Sequence, residues 1–275
     1  MPETTRTALV TGATTGIGRE VARRLAVDGW HVLLHGRTAV DASDALDGLV
    51  RDGTDPARVK TVVADFADLA TVRDLADVVS RIPGGLDLLV NNAALVGGAR
   101  RAETVDGNEM SWQVNYGAHY LLTRLLTPAL TRRPGARVVN LSSSLHRMGN
   151  LDWADLNRTA RYAAVPAYAQ SKLGMTMLAT GLARHGGVDL TAVSVHPGVV
   201  RTRLMSTYSR SGAPVADGAD AVLHAVYMES PVNGGYYEGS LPAVPAPLAA
   251  NPSAVQRLWR LTGRSLDLEV SSRAA

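Results

Sequence analysis

The chain has no cysteine, which excludes disulfides, thiolate metal sites and a cysteine nucleophile. Lysine is almost absent as well: of 28 lysines and arginines in 275 residues, only Lys60 and Lys172 are lysine. No stretch approaches the ~20 apolar residues that span a bilayer, and residues 1–6 lack the apolar run of a signal peptide or anchor. The expectation is therefore a cytoplasmic protein that does not enter a membrane. Net charge is only +3, and no short window concentrates Lys or Arg, so nucleic acid is not an expected partner. No pair of histidines has metal-ligand spacing, and no metal is expected. What is left is enough chain for one large α/β domain over residues 1–275, with a core that needs no staples.

From residue 7 to 198, short β-branched runs alternate with longer amphipathic stretches, the pattern of βαβ units and a parallel sheet. Strands are predicted at 7–11, 31–35, 59–64, 86–90, 137–141 and 190–195, with a last one at 235–237, and helices at 17–28, 39–51, 68–80, 105–130 and 166–184. A short helix near 253–261 follows a proline-rich loop. The implied architecture is one Rossmann-type, doubly wound parallel sheet of about seven strands, with helices on both faces. Ligands of such sheets sit beyond the carboxyl ends of the strands.

Two motifs fall at such ends. Thr11-Gly12-Ala13-Thr14-Thr15-Gly16-Ile17-Gly18 lies between the first strand and the first helix, where glycines permit a tight turn against a pyrophosphate and the helix N-terminus offers free N–H groups. Tyr168 and Lys172 stand four apart on a predicted helix, hence on one face. In an arginine-rich chain, the lysine there is a compact point charge suited to a crowded site. A cation beside a phenol favours the phenolate and brings its proton within reach of transfer to a substrate oxygen. An incidental surface pair is the competing reading of those two residues alone.

Together these residues resemble the short-chain dehydrogenase/reductase superfamily. Its other signatures follow in order: Asn91-Asn92-Ala93-Ala94, Asn115, Ser142-Ser143 and Pro197-Gly198. The stretches 114–123, 139–146 and 196–202 are similar to the branch holding retinol dehydrogenases and WW-domain oxidoreductases, as is the separation of 25 between Ser143 and Tyr168. The resemblance implies hydride transfer between a nicotinamide and a carbonyl or alcohol carbon. In it, Tyr168 is the general acid, Lys172 lowers its pKa and binds the nicotinamide ribose, Ser143 donates to the substrate oxygen, and Asn115 holds a relay water. Asn115 could instead be a helix-interior amide. Ser142 or Ser143 could be the donor, and the family pattern selects Ser143.

For the cofactor, Gly12, Thr14, Thr15, Gly16, Ile17 and Gly18 are expected at the pyrophosphate, Ala93 along the adenosine ribose, Pro197, Gly198, Val199 and Thr202 at the nicotinamide, and Asn92 among the cofactor-binding residues. Asp65 and Phe66 resemble the adenine contact, although Asp65 could simply cap the following helix. At the end of the second strand, Gly36 stands where an NAD-preferring fold usually has a carboxylate, and Arg37 follows. An arginine fork matches a 2′-phosphate, so NADP(H) is expected over NAD(H).

Residues 95–101, 145–165 and 203–214 are expected to close an apolar pocket lined by Val96, Ser143, His146, Trp153, Met205 and Tyr208, suited to a hydrophobic aldehyde, ketone or alcohol. His146 could equally be a polar loop residue. His31, His35 and His119 fit strand or helix packing, and Arg100 and Arg101 are expected to face water. The tail over 238–275 could cover the site or join copies into a homo-oligomer. Two other functions stay open at this level: a non-catalytic NADP(H)-binding sensor or scaffold, and an epimerase or dehydratase using the same tyrosine.

Overall fold

The structure is a computed structural model describing residues 6–202, 204 and 212–268. Its first strands are short and buried at almost every position, as strands covered on both faces must be. In β1 (Thr7–Val10), Ala8 and Val10 point to one side and Leu9 to the other. The alternation repeats in β2 (His31–Gly36), β4 (Leu88–Asn91), β5 (Ala136–Leu141) and β6 (Leu190–His196), so two separate cores form, one per face. With β3 (Val59–Val63), β7 (Tyr236–Glu238) and β8 (Leu241–Ala243) the sheet reads β3-β2-β1-β4-β5-β6-β7-β8. All pairings are parallel except β7 with β8. The order turns back between β1 and β4, and a crevice opens there at the carboxyl ends.

One face carries α1 (Gly16–Val27), α2 (Ala39–Arg51) and α7 (Val215–Tyr227). The other carries α3 (Leu69–Ser80), α5 (Ala118–Leu130), α6 (Ala164–His185) and α9 (Pro252–Ser265). Two short helices, α4 (Met110–Trp112) and α8 (Pro247–Ala250), complete the set of the described residues. Almost every residue of α6 from Ala167 to Leu182 is buried, because the sheet covers one side and the C-terminal tail the other. Gly181 makes that approach close: a Cβ there would stand 2.6 Å from the Trp259 ring. Trp259 itself lies edge-on to Tyr120 at 5.0 Å, stacks on His185 at 4.8 Å and carries the Arg124 guanidinium at 4.9 Å. Tyr120 Oη donates to the Trp259 carbonyl at 2.9 Å. No helix among the described residues is long and apolar enough to cross a membrane.

The structure departs from expectation in three places. An eighth strand, β8, lies in the stretch expected to be a proline-rich loop; as an edge strand it tolerates Pro242, whose missing N–H need not join a second ladder. α7 was not expected from the sequence. The helix expected from residue 105 starts at Met110, because Glu109 turns back on itself and caps the N–H groups of Ser111 and Trp112 at 2.9 and 2.6 Å. Between α4 and α5 the helix then widens to a π turn at Gln113–Gly117.

Truncating Trp259 removes an aromatic that is 5% exposed and joins α5, α6 and α9. Trp259→Ala should therefore destabilise the fold by about 3–5 kcal/mol, read as a lowered urea midpoint with little change in slope.

Candidate active site

The crevice is built from the glycine turn outward. Gly12 and Gly16 both adopt the left-handed region, at φ 61° and 57°, which a side chain would resist. A Cβ on Gly12 would lie 2.8 Å from Ala93 Cα, and one on Gly18 2.4 Å from Asn92 Nδ2. The turn is thus pressed directly against the end of β4. Thr15 caps α1 without a side-chain hydrogen bond, so the first-turn N–H groups receive no cap from its hydroxyl. Thr14 packs its methyl near Gly36, and Ile17 turns inward onto Gly218 of α7. Thr202 stands beside Gly16, where a Cβ would meet its methyl at 3.3 Å. Gly198 and Val199 are exposed, Pro197 is half-buried, and the chain closes on itself where Ala213 N donates to Val199 O at 2.8 Å.

Beneath this turn lie two buried histidines. Gly12 N donates to His35 Nδ1 at 3.0 Å, so the other nitrogen of a neutral ring, Nε2, donates to Ala64 O at 3.0 Å. His119 is held the opposite way round. Its Nδ1 faces the Asn115 carbonyl at 3.0 Å and must donate; its Nε2 therefore accepts from Thr11 Oγ1 at 2.9 Å. Burial lowers His35 to about 4 and His119 to about 3, keeping both neutral. Phe66 fills the space between them, stacked on His35 at 4.6 Å and edge-on to His119 at 5.0 Å.

These contacts bear on two expectations for the cofactor side and one for histidine packing. The Phe66 ring is 3% exposed and buried between the histidines, so it does not face the crevice. The Asn92 amide is taken up by the turn itself, donating to Thr11 O at 2.7 Å and Gly12 O at 3.0 Å. His31, expected in strand packing, is exposed at the start of β2. Asp65 is half-buried at the end of β3, with Oδ1 accepting from Ala67 N at 2.9 Å, while Asp68 caps α3. Gly36 has no space for a side chain: a Cβ would lie 2.9 Å from both Ala42 Cβ and Thr14 Cγ2. Arg37 beside it is exposed.

Across the crevice, α6 presents Tyr168 and Lys172. Lys172 is 3% exposed, its Nζ donates to Leu141 O at 2.9 Å, and it lies 5.7 Å from the centre of the Tyr168 ring. Burial lowers its pKa to about 8. Ser142 and Ser143 separate clearly. Ser142 is buried, its hydroxyl 2.7 Å from Thr176 Oγ1 and 3.2 Å from the Lys172 carbonyl, fastening β5 to α6. Ser143 is half-buried and starts the one-turn helix Ser144–Met148, its Oγ accepting from Leu145 N at a long 3.3 Å. Asn115 sits in the π turn, fully buried. Its amide exchanges 2.8 Å bonds with both the N–H and the carbonyl of Leu95 and donates to Ser171 Oγ at 2.9 Å.

On the substrate side, Val96 is half-buried next to Leu95. Met205 and Tyr208 lie outside the described residues. His146 is corrected: it is fully buried, donates from Nδ1 to Ser143 O at 2.7 Å and accepts from Ala246 N at 3.0 Å, so both nitrogens join the serine turn to the tail. Trp153 is likewise drawn into the tail packing, with the Arg257 guanidinium 4.5 Å above its ring. Arg101 does not simply face water, since its Nε donates to Asn157 O at 3.0 Å and the guanidinium pairs with Glu103. The insertion also reaches the 95–101 loop through Tyr162, whose hydroxyl donates to Gly98 O at 2.9 Å. No group of three or more ligand-type side chains able to hold a metal gathers among the described residues.

The model of the short chain dehydrogenase family matches residues 6–212, and the chain belongs to that family of oxidoreductases. Retinol dehydrogenase 13 of Homo sapiens is 32% identical over 287 residues, which cover 97% of this chain and 86% of the relative. A solved, uncharacterised protein of Mycobacterium paratuberculosis is 31% identical with TM-score 0.81, over 96% of this chain and 94% of that one. The structure of landomycin C-6 ketoreductase LanV, solved with NADP and rabelomycin, is 28% identical with TM-score 0.63, over 86% and 94%.

The two histidines bind fewer protons folded than unfolded between their usual value near 6.5 and about 4. Their contribution is complete above pH 6.5 and declines as pH falls toward 4. Urea unfolding at pH 7 and pH 5 should show a loss of about 2 kcal/mol per histidine, and His35→Gln should remove roughly its own share.

Proposed function

We propose that the protein is an NADP(H)-dependent oxidoreductase interconverting a hydrophobic carbonyl compound and its alcohol. The observation that carries the reading is Lys172. A buried ammonium normally has a carboxylate partner, and among the described residues none pairs with it; only the neutral Leu141 carbonyl does. Such an uncompensated charge is retained where it acts on a neighbour, and the neighbour is the Tyr168 phenol.

In reduction, Tyr168 gives its proton to the substrate oxygen while the carbonyl carbon takes a hydride. The nicotinamide, when bound, supplies that hydride and is left oxidised. Lys172 lowers the phenol's pKa by charge and leaves three ammonium hydrogens for the Leu141 carbonyl and ribose hydroxyls. Ser143 Oγ, held only by a long bond, is free to turn its hydrogen to the developing oxyanion. The first-turn N–H groups of α1, with Gly12 and Gly16 flattened against Ala93 and Thr202, give a cradle that a pyrophosphate fits.

For the phosphate form of the cofactor, the support is the crowding at Gly36. No carboxylate fits there to take the 2′-hydroxyl, while exposed Arg37 supplies a fork for a 2′-phosphate. Asp41, at the start of α2, is the opposing charge nearby, and it is partnered by the Thr38 hydroxyl at 2.7 Å. The names of the relatives, a retinol dehydrogenase and a ketoreductase solved with NADP and rabelomycin, support a carbonyl or alcohol substrate.

Following NADPH absorbance with a panel of apolar aldehydes and ketones, Tyr168→Phe should lose about 10²–10⁴-fold in kcat with NADPH affinity retained. Equal turnover in the variant would sink the general-acid assignment. Separately, Arg37→Ala should raise the KM for NADPH about 10–100-fold and leave that for NADH nearly unchanged; parallel changes for both cofactors would remove the phosphate role.

A further inference from the structure

The groups used above leave His119 unassigned, yet it lies between both halves of the site. Asn92 N and Ala93 N, at the end of β4, donate to Thr11 Oγ1 at 2.8 and 3.0 Å. Thr11 has given both acceptor lone pairs to those amides, so its one proton goes onward, to His119 Nε2 at 2.9 Å or to Val90 O at a longer 3.3 Å. From the far side of the ring, Nδ1–H reaches the Asn115 carbonyl. Asn115 Nδ2 continues to Ser171 Oγ, and Ser171 Oγ donates to the Tyr168 carbonyl at 2.7 Å. Every member but Tyr168, with 8% exposure, and the two amides is wholly out of water.

We infer that His119 is a positioning residue for the reaction, holding the Asn115 π turn, and through Ser171 the Tyr168 backbone, in register with the loop that cradles the dinucleotide. The inference rests on the oxidoreductase reading for its kinetic consequence, not for its geometry. A π turn is a wide, weakly determined stretch of helix, and a side-chain donor clamped on one of its carbonyls fixes which way that carbonyl points. The two ring nitrogens have unequal importance. Thr11 keeps Val90 O as a second acceptor if Nε2 is lost, whereas the Nδ1 bond is the only one that ties the ring to Asn115. The ring cannot be replaced by a cation either, because a protonated Nε2 would turn a second donor toward Thr11 and force its proton away.

Two variants divide ring shape from hydrogen bonding. His119→Phe keeps an aromatic edge for Phe66 and removes both nitrogens; His119→Asn keeps a donor close to the place of Nδ1. Both are compared with wild type by melting temperature, NADPH fluorescence titration, kcat and KM, and amide exchange over residues 112–120. His119→Phe should lower kcat at least tenfold while NADPH Kd and substrate KM stay within threefold, the signature of an interaction felt in the transition state. Exchange over 112–120 should be at least tenfold faster, and His119→Asn should recover most of both losses. A folded Phe variant with wild-type kcat and exchange overturns the inference, as does an Asn variant impaired as much as Phe. If wild type itself reduces no carbonyl on the panel, the oxidoreductase reading fails, and the exchange comparison still decides the role of His119.

Discussion

The glycine turn is gripped from below by two neutral histidines, and most of the site's geometry follows from that grip. Thr11 and Gly12 are consecutive residues, each bonded to a different ring from a different element: His119 from α5 and His35 from β2. Because His35 passes its other hydrogen bond to Ala64 O, the ends of β1, β2 and β3 are joined at one level. Because Thr11 also receives the amides of Asn92 and Ala93, the end of β4 joins them. Opposite tautomers are required for the two rings, and burial in an apolar setting forbids the protonated form that would break either pattern. The chain's only phenylalanine, Phe66, sets the spacing between the rings.

This grip explains how a polar site survives between two apolar cores. Buried polar atoms are costly unless each has a partner, and here the partners are supplied in sequence from strand end to strand end. Asn91 is less complete one layer deeper: its Nδ2 donates to Asn140 Oδ1 at 2.8 Å and Thr123 Oγ1 at 2.9 Å, tying β4 to β5 and α5, while Asn91 Oδ1 and Asn140 Nδ2 are buried without a partner. The charged exception is Lys172, which has no counter-ion among the described residues. An ammonium lowered to about 8 by burial is a stability cost concentrated on one side chain, and it falls where the chemistry needs a cation.

Much of this was legible in the chain. Continuous apolar runs give buried parallel strands whatever their neighbours, and a 3.6-residue period put Tyr168 and Lys172 on one face of α6. The glycine pattern was equally readable, since a left-handed turn pressed on another backbone tolerates little else. What failed to show was the destination of side chains at shared borders. Phe66, Asn92, His146 and Trp153 all follow or precede motif residues closely, yet each turns toward protein, because the choice between crevice and core is made by elements far away in sequence. His146 meets Ala246, a hundred residues on, and Trp153 meets Arg257. α7 was missed for another reason. Its apolar period is no weaker than that of α5, but it lies beyond the motifs that organise the first two hundred residues, and it is fixed by packing on α1 and the sheet.

The tail also changes how the substrate side must be understood. A lid has to leave its closed position at modest cost, but this tail buries Trp259, Val255 and Leu258 against α5 and α6 and is pinned by Tyr116 Oη to Thr262 Oγ1 at 2.9 Å. At its front, Ala246 N bonds His146, whose other nitrogen holds the Ser143 carbonyl, and Glu238 pairs with Arg147 beside it. The serine turn therefore stands on a buttress made by the C-terminal tail. Opening the tail would move Ser143 relative to Tyr168, so substrate entry cannot use that route without dismantling the site.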